Sequence, residues 1–150
     1  MPIATREAEI VWDGPLASGA GTLSSGSGAL GQLPVTWASR TEQPDGKTSP
    51  EELIAAAHAS CFAMALALML GENHTPPERL VVDAGCTLDE VDGAPRITTV
   101  QLTVHAKVTG LEQASFAQAV ERAGDLCPVS NALRGNVEIS VRSELEDERG

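Results

Sequence analysis

Three cysteines, Cys61, Cys86 and Cys127, are the residues of this sequence most suited to covalent chemistry. A cysteine reacts as its thiolate, so its reactivity depends on whether its surroundings favour the charged form. The odd number and irregular spacing of the cysteines do not fit a disulfide framework, and the sequence contains no Cys-x-x-Cys pair. The pattern indicates reduced thiols in a cytoplasmic protein, without a structural zinc site.

The three thiols differ in their predicted surroundings. Cys61 lies in the middle of a long apolar segment, where burial raises the pKa of a thiol and reactivity would require a cation from elsewhere in the fold. Cys127 directly precedes Pro128 at the predicted start of a short helix. Free backbone N–H groups favour a thiolate there, although a simple helix cap fits the position equally well. Cys86 lies on the apolar side of a predicted strand and is expected in the core.

Few charged side chains could act on these thiols. Arg40 is predicted at the end of the third strand, just before a polar loop, and most arginines at such positions are solvated. Glu51 and Glu52 open the long helix. Glu52 is assigned to a capping box with Ser49, which leaves Glu51 available, although a carboxylate in the first turn of a helix also has a purely structural role.

The three histidines carry weaker signals, and neither His74 nor His105 is positioned by the sequence to act as a base. His58 lies one turn before Cys61 on the predicted helix, close enough to touch it. It could tune the thiol, although a buried and hydrogen-bonded imidazole is the favoured interpretation. His105 lies on the polar face of a predicted strand. A Cys–His hydrolase that uses Cys61 with His58 or His105 is therefore one alternative, but no local motif supports it.

Hydrophobic periodicity predicts the elements that must position these residues. Strands are predicted over residues 8–12, 19–24, 33–39, 80–88, 97–108 and 137–141. A long helix is predicted to begin at Ser49-Pro50 and to end before Gly71, and shorter helices are predicted over residues 114–124 and 128–134. The strand over residues 97–108 alternates apolar and polar residues, as in an antiparallel sheet with one solvated face. The order of elements predicts one α+β domain of 150 residues.

The segment Leu53–Leu70 has no charged residue and reaches the lower limit of a membrane-spanning length. Its flanks are acidic, which favours a central helix of a soluble protein, buried on all sides. A net charge of −11 with only two lysines argues against a nucleic-acid partner or an anionic membrane surface. The aromatic content of 3% implies a core of small side chains and favours an oligomer.

The sequence around two of the cysteines resembles a known family. SPEELIAAAHASCFAMALALMLGE closely resembles the motif around the first cysteine of the OsmC/Ohr family, the osmotically inducible and organic-hydroperoxide-resistance proteins. LCPVSNAL is similar to the segment around the second cysteine of that family, and the two cysteines are 66 positions apart (127 − 61). GAGTLSSGSGAL and SRTE extend the resemblance over nearly the whole chain, and the HASCF form looks more like the OsmC branch.

The resemblance implies an intertwined homodimer in which antiparallel sheets wrap central buried helices that carry the reactive cysteine. It implies that Cys61 is the peroxidatic cysteine and that Cys127 is the resolving cysteine. Arg40 and Glu51 match the arginine and the glutamate that activate the thiol in the family. The resemblance implies no metal, flavin or nucleotide cofactor.

Helix geometry agrees with a site shared between two chains. Glu51 and Cys61 are ten residues apart (61 − 51) in the predicted helix, which separates them by about 15 Å along its axis. They cannot meet within that helix. If Glu51 serves Cys61, it must therefore come from another copy of the chain.

The resemblance also implies an activity, the thiol-dependent reduction of organic hydroperoxides, with hydrogen peroxide as a further candidate substrate. The expected products are an alcohol, a sulfenic acid on Cys61 and then a Cys61–Cys127 disulfide. An external dithiol, in the family similar to a lipoyl group, would restore both thiols. The alternative of another class is a non-enzymatic protein that binds an apolar ligand in the same dimer pocket.

Overall fold

The computed structural model describes residues 1–146 and has the predicted mixture of helices and sheets. The chain divides into two compact units, Met1–Leu53 and Ile54–Gly150. The organisation as one domain, expected from the chain length, stays a prediction.

The first unit is built on a three-stranded antiparallel sheet in the order β1-β2-β3. Its strands are β1 (Ala8–Asp13), β2 (Ala20–Ser25) and β3 (Leu33–Val35), and a short helix α1 (Trp37–Thr41) follows them. The first two strands confirm the predicted elements to within one residue.

The third strand is shorter than predicted, because Thr36 begins a helix. Its hydroxyl accepts a hydrogen bond from the Ser39 backbone N–H at 3.0 Å, and the Ser39 hydroxyl accepts one from the Thr36 N–H at 2.9 Å. This reciprocal capping box stops the strand at Val35. The placement of Arg40 at the end of a strand is therefore wrong, since Arg40 lies in the last turn of α1.

The long helix α2 (Pro50–Glu72) begins where the sequence predicts. Pro50 is its first residue, and the Ser49 hydroxyl accepts from the Glu52 backbone N–H at 3.2 Å. Only this half of the predicted capping box is present. The Glu52 carboxylate accepts a hydrogen bond from the Thr48 hydroxyl at 2.8 Å, so it braces the preceding loop.

The second unit contains a sheet in the order β4-β5-β6. Its strands are β4 (Arg79–Val91), β5 (Ala94–Lys107) and β6 (Glu138–Leu145), and helices α3 (Gln113–Leu126) and α4 (Pro128–Leu133) lie between β5 and β6 in the chain. The pairing of β4 with β5 is antiparallel, as predicted, but β6 pairs with β5 in parallel. The sheet is mixed because the two helices form a crossover that returns the chain in the same direction.

The core of the second unit follows the predicted periodicities. On β5 the apolar residues Val100, Leu102, Val104 and Ala106 are buried, whereas Gln101 and the other polar residues between them are less buried or exposed. The predicted apolar stripe of α3 is also buried, and it consists of Phe116, Ala119, Val120 and Ala123.

Helix α2 buries one stripe of its surface within a single chain. The stripe belongs to the hydrophobic core and includes Phe62, Leu66 and Leu70, while Met64 is 71% exposed and Leu68 is 56% exposed. The expected burial on all sides is therefore not reached within one chain. Among residues 1–146, α2 is long and apolar enough to cross a bilayer by length and composition, a test that core helices also pass.

Candidate functional site

The fold brings Cys61 and Cys127 together in the second unit. Cys61 lies on α2, and Cys127 lies at the junction between α3 and α4. Their side chains are hydrogen-bonded to each other, and both are thiols. Cys127 is fully buried and Cys61 is half-buried. Cys86, as predicted, packs against the hydrophobic core from β4.

The surroundings of Cys61 hold its thiol in the protonated form. Burial raises the pKa of Cys61, and the hydrogen bond and charge of Cys127 raise it further. A hydrogen bond from the backbone of Val129 opposes these effects but does not outweigh them. Among residues 1–146, none of the groups that shift the pKa of Cys61 is a cation, so they do not supply the positive charge that its sequence position requires for reactivity.

The surroundings of Cys127 have the opposite effect. Burial raises the pKa of this thiol, but hydrogen bonds from the side chain and backbone of Ser130, from Cys61 and from the Val129 backbone outweigh burial and hold the pKa below its usual value. The Cys127 Sγ caps α4 and accepts from the Ser130 N–H at 3.5 Å. In the dithiol pair the negative charge is therefore favoured on Cys127, with Cys61 as the hydrogen-bond donor.

His58 is fully buried, and its hydrogen bond leads to the thiol pair through Ser130. The His58 Nε2 lies 2.7 Å from the Ser130 Oγ, which confirms a buried, hydrogen-bonded imidazole. Burial lowers the pKa of His58, so it stays neutral. The sequence did not identify Ser130 as a site residue. Its position, three residues after Cys127, resembles that of any serine in the first turn of a helix.

Neither histidine is arranged for the Cys–His hydrolase alternative. The hydrogen bond of His58 goes to Ser130, and the Nδ1 of His105 lies 3.3 Å from the Glu144 carboxylate on the exposed side of the sheet. No observation therefore favours that alternative.

Arg40 and Glu51 form a second pair, within the first unit. The Arg40 Nε lies 3.0 Å from Oε1 of Glu51, and its Nη2 lies 3.0 Å from Oε2. This two-point contact fixes the plane of the guanidinium. Glu51 is only 6% exposed, so its carboxylate is not the spare, solvated group of an ordinary helix start. The Arg40 guanidinium also lies 5.8 Å from the centre of the Trp37 ring.

An apolar pocket of about 380 Å³ lies beside this ion pair. Its walls within the first unit include Ile10, Trp12, Leu23, Trp37 and Leu53, with Arg40 as the charged residue among them. A cavity with hydrophobic walls and one fixed charge suits a small ligand with an apolar body and a polar end. The tryptophans were not identified as site residues from the sequence, because these pocket walls come from four separate elements, β1, β2, α1 and the start of α2, which meet only in the folded unit.

The four predicted site residues thus form two pairs, Cys61 with Cys127 and Arg40 with Glu51, and each pair belongs to one unit. One pair can exchange two electrons through a disulfide, and the other holds a positive charge beside an apolar cavity.

Comparisons with known proteins identify the family of the chain. Residues 43–142 match the family model described as OsmC-like protein. The peroxiredoxin OsmC of Escherichia coli (strain K12) is 39% identical over 137 residues, which cover 91% of this chain and 95% of that protein. The organic hydroperoxide resistance protein-like 1 of Staphylococcus epidermidis is 35% identical over 106 residues, which cover 69% of this chain and 75% of that protein.

Solved structures show the same fold. The crystal structure of an organic hydroperoxide resistance protein OsmC from Legionella pneumophila has a TM-score of 0.74 at 25% identity and covers 96% of this chain and 99% of that chain. The organic hydroperoxide resistance protein OhrB of Bacillus subtilis has a TM-score of 0.71 at 25% identity and covers 92% of this chain and 98% of that chain. On this evidence the chain belongs to the OsmC-like family and has the α+β fold of the OsmC/Ohr proteins.

Proposed function

We propose that this protein is a thiol peroxidase that reduces organic hydroperoxides in defence against oxidative stress. The observation that carries the proposal is the hydrogen bond between the side chains of Cys61 and Cys127, because two thiols must be neighbours before they can form a disulfide. The names of the relatives, peroxiredoxin OsmC and organic hydroperoxide resistance protein, support the same activity.

The reaction follows from thiol chemistry. The Cys61 thiolate attacks one oxygen of the hydroperoxide, the O–O bond breaks, and the leaving alkoxide takes a proton to give the alcohol. Cys61 is left as a sulfenic acid. Cys127 then attacks the Cys61 sulfur, which forms the disulfide and releases water. An external dithiol, of the lipoyl type, exchanges with this disulfide and restores both thiols.

Arg40 supplies the cation that Cys61 needs, and Glu51 orients it. Burial and Cys127 raise the pKa of Cys61 within one chain, so the attacking thiolate depends on an added positive charge. The ten-residue separation of Glu51 and Cys61 on one helix requires that this charge come from a second chain. The active form is accordingly a homodimer with one Arg40–Glu51 pair serving the Cys61 of the partner chain.

The apolar pocket beside Arg40 gives the proposal its substrate class. Its aliphatic and indole walls favour the carbon portion of an organic hydroperoxide, and the guanidinium favours the developing alkoxide. Hydrogen peroxide has no apolar portion to bury and should therefore react less efficiently. A cytoplasmic location, where a dithiol reductant is available, completes the proposal.

The first test is peptide mass spectrometry after the reduced protein reacts with a limiting amount of an organic hydroperoxide. We expect a Cys61–Cys127 disulfide and an unchanged Cys86. Unmodified Cys61 after excess hydroperoxide would overturn the peroxidase and would favour a protein that binds an apolar ligand in the pocket.

The variant Cys127→Ser tests the resolving role. It should complete one turnover and then accumulate sulfinic and sulfonic acid on Cys61, because the sulfenic acid has no partner. Cys86→Ser is the matched control and should retain repeated turnover. Sustained dithiol-dependent turnover by Cys127→Ser would contradict the two-cysteine mechanism.

A further inference from the structure

A continuous set of buried polar contacts leads from His58 to the thiol pair. The His58 Nε2 contacts the Ser130 Oγ at 2.7 Å. Ser130 in turn hydrogen-bonds Cys127 with its hydroxyl and with its backbone N–H, and Cys127 accepts from Cys61. His58 and Ser130 are both almost fully buried, and the mechanism proposed above gives neither of them a role.

The environment of His58 determines which nitrogen carries its proton. Among residues 1–146 its buried Nδ1 has no hydrogen-bond partner. A buried N–H without an acceptor is more costly than a buried lone pair without a donor. The neutral ring is therefore protonated on Nε2 and donates to the Ser130 Oγ. This leaves the Ser130 hydroxyl proton free to point at the Cys127 sulfur.

We propose that Ser130, oriented by His58, activates Cys127 as the resolving thiolate. This inference rests on the proposed peroxidase function and adds two residues to it. Ser130 contacts the reacting sulfur directly, and His58 is a positioning residue that acts through Ser130.

The step that this contact promotes is disulfide closure. The Cys127 thiolate attacks the sulfur of the Cys61 sulfenic acid, the S–S bond forms, and the S–O bond breaks. The departing hydroxide takes a proton from solvent and leaves as water, while the Cys61 sulfur is reduced and the Cys127 sulfur is oxidised. Without a donor at Ser130, a fully buried Cys127 would be held as a poorly reactive thiol.

The groups that act on Cys127 come from two helices, α2 and α4. They are Cys61 from α2, Ser130 from α4 and the Val129 backbone, with neutral His58 behind Ser130. No acidic or basic side chain of the described residues is among the causes of its lowered pKa. Removal of one hydroxyl should therefore be visible in the titration of Cys127.

The first experiment measures that titration without any peroxide. In a Cys61→Ser background, alkylation of Cys127 is followed against pH by peptide mass spectrometry. Ser130→Ala should move the midpoint upward by about one pH unit, the effect of losing a hydrogen bond to a charged group. Ser140→Ala, an exposed serine on β6, is the matched control and should not move it.

Two variants of His58 distinguish a role in orienting Ser130 from a role in packing alone. His58→Leu removes the donor to Ser130 and should move the midpoint in the same direction, whereas His58→Gln retains an N–H donor and should restore part of the shift. Thermal unfolding of each variant identifies any that fail to fold. An unchanged midpoint in folded Ser130→Ala, or equal midpoints in His58→Leu and His58→Gln, would overturn the inference.

The second experiment separates this inference from the peroxidase itself. After a single addition of organic hydroperoxide, a dimedone-type reagent traps the Cys61 sulfenic acid in competition with disulfide closure. Ser130→Ala should trap about tenfold more than the Ser140→Ala control. Equal trapping in the two variants would overturn the role of Ser130 without contradicting the peroxidase function. Absence of both the trapped sulfenic acid and the Cys61–Cys127 disulfide in the unsubstituted protein would overturn the peroxidase, while the titration of Cys127 would still test Ser130.

Discussion

At the scale of single residues, Cys61 and Cys127 share one hydrogen bond but differ in their acidity. Burial and the neighbouring Cys127 raise the pKa of Cys61, whereas the donors around Cys127 overcome the effect of its burial. A chain by itself therefore favours the thiolate on Cys127, the proposed resolving residue, and the protonated thiol on Cys61, the proposed attacking residue. The attacking thiolate is expected to form only when a guanidinium approaches Cys61.

Arg40→Ala should slow alkylation of Cys61 at neutral pH and move its pH profile upward, because the thiolate loses its cation. The measurement is the rate of alkylation of Cys61 against pH. Arg40→Lys should recover only part of the effect, since a lysine cannot reproduce the two-point contact with Glu51. Arg96→Ala, at an exposed position of β5, is the control, and an unchanged profile for Arg40→Ala would contradict the proposed role of Arg40.

His58 should make stability depend on pH below about 6.5. Burial lowers the pKa of folded His58, whereas unfolded His58 binds a proton at its ordinary pKa. The unfolded state thus takes up more protons as the pH falls, and the free energy of unfolding decreases by up to about 1.4 kcal/mol per pH unit. Denaturant unfolding at several pH values should show this slope, and His58→Gln should reduce it. Ser140→Ala, at an exposed position of β6 without a titratable group, is the control and should leave the slope unchanged.

At the scale of elements, short-range hydrogen bonds place the site residues. The Thr36–Ser39 capping box turns the chain from β3 into α1 and brings Arg40 to the ion pair with Glu51. In the second unit, Cys127 ends α3 with its backbone N–H, which donates to the Ala123 carbonyl, and begins α4 with its Sγ, so the sulfur lies at a fixed bend. Regular elements thus hold the four predicted site residues more precisely than loops would.

The hairpin between β4 and β5 provides a test of how local geometry supports the second unit. Asp92 and Gly93 have φ values of 53° and 80°, which is the left-handed turn that favours glycine. Gly93→Ala should lower the free energy of unfolding by about 1–2 kcal/mol. Gly71→Ala, in open space near the end of α2, should raise it by about 0.5–1 kcal/mol. Chemical denaturation of both variants checks the opposite signs, and a neutral Gly93→Ala would contradict the assigned turn.

At the scale of the whole molecule, one chain leaves part of α2 without a covering layer. Met64 and Leu68 are 71% and 56% exposed on a helix that carries no charge between Leu53 and Leu70. A soluble protein rarely exposes apolar side chains of this size together. A second chain would cover these side chains, and the need of Cys61 for an external cation also favours the proposed homodimer.

Met64→Glu should convert a dimer, with twice the 15.6 kDa mass of one chain, into a monomer and abolish peroxidase turnover. The physical reason is the cost of burying an unpaired carboxylate at an apolar interface. Sedimentation or light scattering gives the mass, and the disulfide assay gives the activity. Leu30→Glu, at an exposed loop position, is the control, and a monomeric unsubstituted protein that still turned over would contradict the shared site.

The sequence by itself determined most of the elements and the family. Alternation along residues 97–108 predicted the buried face of β5, and Ser49-Pro50 predicted the start of α2, because these patterns depend on periods and caps of a few residues. The motifs around Cys61 and Cys127 were long enough to indicate the family that the comparisons show.

The tertiary structure decided what depends on contacts between distant segments. It placed Arg40 on a helix through the Thr36–Ser39 bonds, and it made the pairing of β6 with β5 parallel through the crossover of α3 and α4. It also joined His58 to Ser130, which is 72 residues away. Residue type and spacing do not encode such partners, because a hydrogen bond across the core requires both elements to be packed first.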